Sequence, residues 1–221
     1  MSARSPRRFA ALDPDGDEIL FVVGSDHGME MADRTIDLES LLVAAGLKRA
    51  AQSSDVVVAA NGGAALLYFA EPESALVAAV ARFLDGEAWV GEVFTGDGLA
   101  TVGLPTRTAA RIAIALKTDG RANPYGVPGH SQIVRDAQEP QEATGFGQHG
   151  GLGRNEQSPF LFVAGGGFEP GDYLCRSALI DIAPSVLRHL GLAAQGLDGR
   201  PLPQQRRQGR RATTSLPEAA R

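Results

Sequence analysis

The chain has 221 residues, 43% of them hydrophobic and 21% charged, with 27 Gly and 13 Pro, an ordinary composition for one large globular domain or two small ones. Its formal charge of −5 is uneven: taking nine terminal arginines (three in 1–8, six in 200–221) and Glu218 from 21 basic and 26 acidic residues leaves 12 against 25 over 9–199. That body of −13 disfavours a nucleic-acid partner and suits cations. The single cysteine, Cys175, excludes an internal disulfide framework, and no apolar run is long enough for a signal peptide or a membrane span, so the chain as given is expected to be cytoplasmic with no membrane partner.

Residues 1–18, polar and punctuated by Pro, Arg and Asp-Gly, are expected to form a loose lead-in. Residues 19–24 predict the first strand, an apolar run that stops at Gly24-Ser25. A helix follows over 35–47, with Ile36, Leu38, Leu41, Leu42 and Ala45 near helical spacing and Gly46 at its end. Residues 55–60 and 64–70 predict two strands joined through Asn61-Gly62-Gly63. The clearest helix is 72–84, with Pro72 in its first turn and Leu76, Ala79, Val80, Phe83 and Leu84 on one face. Residues 89–94 and 110–116 predict two more strands, with a turn at 95–98 between them. The polar stretch 117–158 is expected to be a long functional or disordered loop. A last strand over 159–165 and a helix from Asp181 to Leu190, with Pro184 in its first turn and Gly191 at its stop, complete the list. Residues 200–221 are expected to be a disordered basic tail. Strands alternating with helices predict the α/β class with a largely parallel sheet flanked by helices.

Chemistry concentrates at the end of the first strand. Asp26 offers a hard carboxylate and His27 an imidazole, both suited to a zinc-like ion, and Gly24 and Gly28 let the backbone turn around them. His149 lies in a glycine-rich stretch with no apolar face to bury it, and competes between metal ligand and solvated loop histidine. His130 stands in a polar loop and is left without a role. His189, near a helix end, is explained by the terminal carbonyls and the helix dipole. Cys175 is expected to be a small buried apolar residue. Asn61-Gly62-Gly63 is favoured as a tight turn, and Gly165-Gly166-Gly167 lacks the Lys-Ser or Lys-Thr of a phosphate loop.

Four stretches in order carry a family likeness. Gly24-Ser25-Asp26-His27-Gly28-Met29 resembles the Asp-His-Gly metal motif of the alkaline phosphatase superfamily, and Asn61-Gly62-Gly63 its Asn-Gly-Gly segment in the type I phosphodiesterase and nucleotide pyrophosphatase branch. Gly147-Gln148-His149-Gly150-Gly151, followed by Glu156-Gln157-Ser158-Pro159-Phe160-Leu161, is similar to the branch's late His-Gly-Gly motif and the strand after it. Leu179-Ile180-Asp181-Ile182-Ala183-Pro184 is similar to its closing helix. The resemblance implies two zinc ions bridging a phosphoryl group, one bound by Asp26 and His27, the other by His149, in a hydrolase of phosphodiesters or pyrophosphates acting on a phosphorylated small molecule. The family's nucleophile, an early aspartate and an Asp-x-x-x-His pair precede its Asp-His-Gly motif, whereas the residues before Asp26 offer Asp13, Asp15, Asp17 and Glu18 but no histidine and no similar nucleophile segment. The resemblance thus implies an incomplete alkaline-phosphatase-like domain over 19–199, the C-terminal part of the enzyme, inactive alone and associating with a missing N-terminal part. The rival readings are a non-catalytic remnant or partner subunit, and a sulfatase-like or phosphonate hydrolase.

Overall fold

The protein is described by a computed structural model, which covers residues 11–13, 16, 18–72, 75–135, 144–169, 171 and 177–204. Cys175 and residues 205–221 lie outside the described residues. In chain order the strands and helices are β1 (Leu20–Gly24), β2 (Glu30–Ile36), α1 (Leu38–Ala44), β3 (Val56–Asn61), β4 (Ala64–Phe69), α2 (Ala75–Asp85) and β5 (Val90–Thr95). They continue with α3 (Gly98–Thr101), β6 (Ala110–Leu116), β7 (Thr118–Ala122), β8 (Pro128–Val134), β9 (Gly147–Gln148), β10 (Leu161–Gly165) and α4 (Ile182–His189). Two compact units emerge: His27–Phe160, and Met1–Asp26 with Leu161–Arg221.

The unit His27–Phe160 holds two four-stranded sheets, ordered β3-β4-β6-β5 and β7-β8-β2-β9. In β4 the buried set is Ala65, Leu67 and Phe69, the alternation of a strand with one face on a core. Leu67 stands between Val58 of β3 and Ile112 of β6, and these join Leu38 and Leu42 of α1 and Val80 and Leu84 of α2 in one apolar cluster. Asp37 caps α1 by accepting from Ser40 N–H at 3.0 Å. Burial pushes the Asp37 carboxyl up, but its bonds to Ser40 and the Arg135 guanidinium outweigh this and hold it below the usual range. Gly46, at φ 70°, ends the helix as expected, its N–H donating to Val43. Lys48 is buried just beyond, donating to the carbonyls of Ser53 (2.7 Å) and Val56, with Glu39 at 3.5 Å.

The α/β class stands, but the expectation of a largely parallel sheet does not. Among the described residues β2 and β8 pair in parallel, and the other six strand pairings are antiparallel. A parallel pair needs a long crossover, and two of the connections are too short for one: Gly62-Gly63 joins β3 to β4, and residues 123–127 join β7 to β8. The near-continuous burial of β6, which suggests a parallel strand, comes from its central place in an antiparallel sheet.

The stretch 117–158 is likewise no single loop, since it contains β7, β8 and β9. Their buried residues include His130, Ser131 and Gln148, so hydrophobic alternation is silent there. The same cause hides β2, whose first buried residue is Glu30, and the predicted 35–47 helix begins only at Leu38.

In the other unit β1 and β10 form an antiparallel two-stranded sheet, Leu20 opposite Gly165 and Gly24 opposite Leu161. Phe21 and Phe162 meet edge to face, 6.3 Å between centroids. The lead-in is ordered where it is described: the buried Asp13 carboxylate accepts from the N–H groups of Gly16, Glu18 and Ile19. Asp181 does not cap α4 as expected; its carboxylate accepts from Arg200 and Ala178 N–H instead, which together hold it below the usual range. Residues 200–204 are not loose, because Leu202 N–H donates to Ser185 Oγ at 2.7 Å and Arg188 donates to the Leu202 carbonyl at 2.6 Å. Among the described residues of this unit, Leu202 is the one buried aliphatic or aromatic side chain apart from Pro184, while Phe162, Ile180, Leu190 and Leu192 are all more than half exposed. A two-stranded sheet is marginal by itself.

Two outcomes follow from this contrast. Leu67→Ala is expected to lower the unfolding free energy by about 2–5 kcal/mol in urea titrations, the usual cost of an emptied core site. The apolar surface of the smaller unit is expected to drive concentration-dependent association in sedimentation velocity, weakened in Phe162→Ser. A monodisperse monomer at all concentrations would contradict the second expectation.

Candidate metal centre

Asp26 follows β1 by two residues and is exposed. His27 opens the larger unit and is half-buried, and His149 follows β9 immediately and is exposed. The two histidines, 122 positions apart, stack face to face with ring centroids 3.7 Å apart and planes 17° from parallel.

Glycines beside each ring permit this. Gly28 N–H donates to the Glu156 carbonyl at 2.7 Å, and a Cβ on Gly28 would lie 1.8 Å from the Asn155 carbonyl oxygen. On the other side, a Cβ on Gly62 would lie 1.9 Å from the His149 carbonyl oxygen, and one on Gly150 would lie 2.2 Å from that of Asn61. Gly62 (φ 56°) and Gly150 (φ 107°) also adopt backbone conformations that disfavour side chains. Gly63 N–H completes the contact by donating to the His149 carbonyl at 3.2 Å. Asn61-Gly62-Gly63 is therefore the expected tight turn, and it is also the seat of the His149 segment.

His27 donates through Nδ1 to the Gly28 carbonyl at 2.7 Å. That bond places the ring's proton on Nδ1 and its lone pair on Nε2, the tautomer arrangement common in metal-ligating histidines. In kind, two imidazoles suit zinc, while Asp26, next to His27 in sequence, belongs to the other unit. In number they fall short: among the described residues no group of three or more His, Cys, Asp and Glu converges as a metal would require. His130 is not in a loop but buried on β8, its Nδ1 3.0 Å from the Arg121 carbonyl. His189 takes a structural role through a different carbonyl from those expected, with Nε2 3.1 Å from Glu18 O.

A buried polar layer near this segment is absent from the sequence reading. Glu156 is 1% exposed and lies seven residues after His149. Gln148 donates its amide N–H to both Ser131 Oγ and Glu156 Oε1. Burial pushes the Glu156 carboxyl above its usual range, aided by the Glu30 charge and opposed by bonds from Gly153 and Gln148. Because the fold favours its neutral form, the stability that Glu156 contributes is fullest at and below the ordinary glutamate pKa and declines as pH rises through the raised one. The available signal was two glutamates and a glutamine beside apolar strands, which composition alone assigns to the surface.

No family model matches the chain, and no curated protein matches it. Among solved structures it is similar to phosphonoacetate hydrolase from Sinorhizobium meliloti 1021 in complex with phosphonoformate, and to the same enzyme in complex with phosphonoacetate. Each likeness has 17% identity and a TM-score of 0.46, covering 71% of this chain. The chain spans 38% of the length of those structures.

Gly62→Ala must shift either the hairpin or the His149 backbone. It is expected to cost at least about 1–3 kcal/mol in urea denaturation. Gly86→Ala, whose Cβ would meet its nearest atom at an ordinary 3.5 Å, serves as the tolerant control.

Proposed function

We propose that the chain is part of a metal-dependent phosphoric-ester hydrolase of the alkaline phosphatase superfamily, of the type I phosphodiesterase and nucleotide pyrophosphatase branch. In this reading Asp26 and His27 serve one zinc ion and His149 serves the other, while the nucleophile and remaining ligands come from a segment outside this sequence. The observation that carries it is the 3.7 Å approach of the His27 and His149 rings across 122 positions of chain. Two imidazoles side by side, each anchored by an adjacent glycine, are an expensive arrangement for solvent-facing loops without a shared purpose. Zinc, when bound, would polarise phosphoryl oxygens and an attacking oxygen. This chain's own part is to hold the imidazoles: the Gly28 carbonyl orients His27, and the Asn61-Gly62-Gly63 turn fixes the backbone of His149. The substrate in this reading is a phosphorylated small molecule.

The incomplete ligand group among the described residues keeps a second reading in view, a non-catalytic remnant or partner subunit. Zinc titration by calorimetry and turnover of bis(p-nitrophenyl) phosphate separate the two. The hydrolase reading expects measurable zinc binding weakened at least about tenfold by His149→Ala, with no turnover until the missing segment is supplied. Zinc affinity unchanged by His149→Ala would remove that residue from the ligand set. Failure of the wild-type chain to retain zinc would favour the remnant.

A further inference from the structure

The larger unit buries two carboxylates that the zinc reading does not use. Glu30 on β2 is 3% exposed, Glu156 is 1% exposed, and Gln148, opposite Glu30 on β9, is 8% exposed. The two acids converge on Gly153. Its N–H donates to Glu156 Oε2 at 3.3 Å, and a Cβ on it would lie 2.5 Å from Glu30 Oε2. Glu30 Oε1 accepts from both the backbone N–H and the side-chain amide of Asn155, each at 3.2 Å.

The layer still lacks partners. Glu30 Oε2 and Gln148 Oε1 are buried with no hydrogen bond. No lysine, arginine or histidine among the described residues forms an ion pair with either glutamate; those of this unit go to Asp33, Asp37, Glu39, Asp55 and Asp119. Buried charges are normally paired or bound to metal, and two neighbouring carboxylates without a counter-charge repel each other. The unpartnered atoms are all oxygens, the donors preferred by hard divalent cations rather than by zinc.

We propose that Glu30, Glu156 and the Gln148 side-chain oxygen bind a hard divalent cation of the calcium or magnesium class, tying the 148–156 segment to β2. The cation supplies the charge that the layer lacks and gives the orphaned oxygens a ligand. Its effect on the His149 segment is structural, through Gln148, the residue that precedes it.

The test is thermal denaturation of the full chain after chelator treatment, with calcium chloride or magnesium chloride titrated at neutral pH. A saturable rise in the midpoint with either ion is expected. Glu30→Gln should raise the half-saturating calcium or magnesium concentration at least about tenfold. An unaltered calcium and magnesium response in a folded Glu30→Gln would overturn the assignment. Should Glu30→Gln not fold, Glu156→Gln takes its place, and calorimetric titration of the wild type with calcium and magnesium decides independently. A wild-type midpoint indifferent to both ions but raised by acidification would also overturn it, since the pair then shares a proton.

Discussion

The larger unit depends on a close approach of backbones that only glycine allows. Gly62 and Gly63 turn β3 into β4, and the same two residues receive the His149–Gly150–Gly151 segment. Their carbonyls also accept from the ends of other strands, Gly62 from Val134 at 3.0 Å and Gly63 from Leu116 at 2.9 Å. One hairpin turn therefore connects β6, β8 and the histidine segment. A methyl group at Gly62, Gly150 or Gly28 would occupy space held by a carbonyl, and carbonyls held by hydrogen bonds do not yield cheaply.

The two units differ in what holds them. In the larger one, sheet β3-β4-β6-β5 packs its alternating apolar face against α1 and α2, and the fully buried leucines, isoleucines and valines other than Leu99 lie in that cluster. Each such side chain contributes about 1.5–3 kcal/mol through burial, which makes this sheet the stable part of the chain. The smaller unit is organised mainly by polar contacts: Asp13 on three amides, Asp181 on two, and Ser185 on Leu202. Hydrogen bonds of that kind add roughly 0.5–1.5 kcal/mol apiece, less per residue than a packed core. Its exposed Phe162, Ile180, Leu190 and Leu192 are the apolar groups such a core would require.

Next to the His149 segment in the chain and bonded to it through Gln148 is a polar cluster of Glu30, Ser131, Gln148, Asn155 and Glu156. Layers of this sort specify geometry strongly because each donor must find its acceptor in a low-dielectric setting. Here that specification reaches the site directly. Gln148 precedes His149, and the Glu156 carbonyl accepts from Gly28, the residue after His27. The histidine pair is thus framed by the same short segment at both ends.

Apolar spacing was enough to mark α1, β3, β4, β6 and α2, which bury an apolar face in the core, while short apolar runs marked β1, β5 and β10, and Pro184 with Gly191 marked α4. Local chemistry marked Gly46 and Gly191 as helix stops, and Asp26, His27 and His149 as ligand-grade residues. The strands β2, β7, β8 and β9 were illegible. Their buried positions include Glu30, His130, Ser131 and Gln148, whose burial depends on partners distant in the chain. The direction of the β3–β4 and β7–β8 pairs follows from connections too short for crossovers, and the meeting of His27 with His149 from glycine-mediated docking across 122 positions. The sequence by itself determined which segments carry apolar faces and which residues have the chemistry of ligands. Tertiary structure alone decided which polar groups leave water and which histidine faces which, since both rest on contacts between segments that no local pattern encodes.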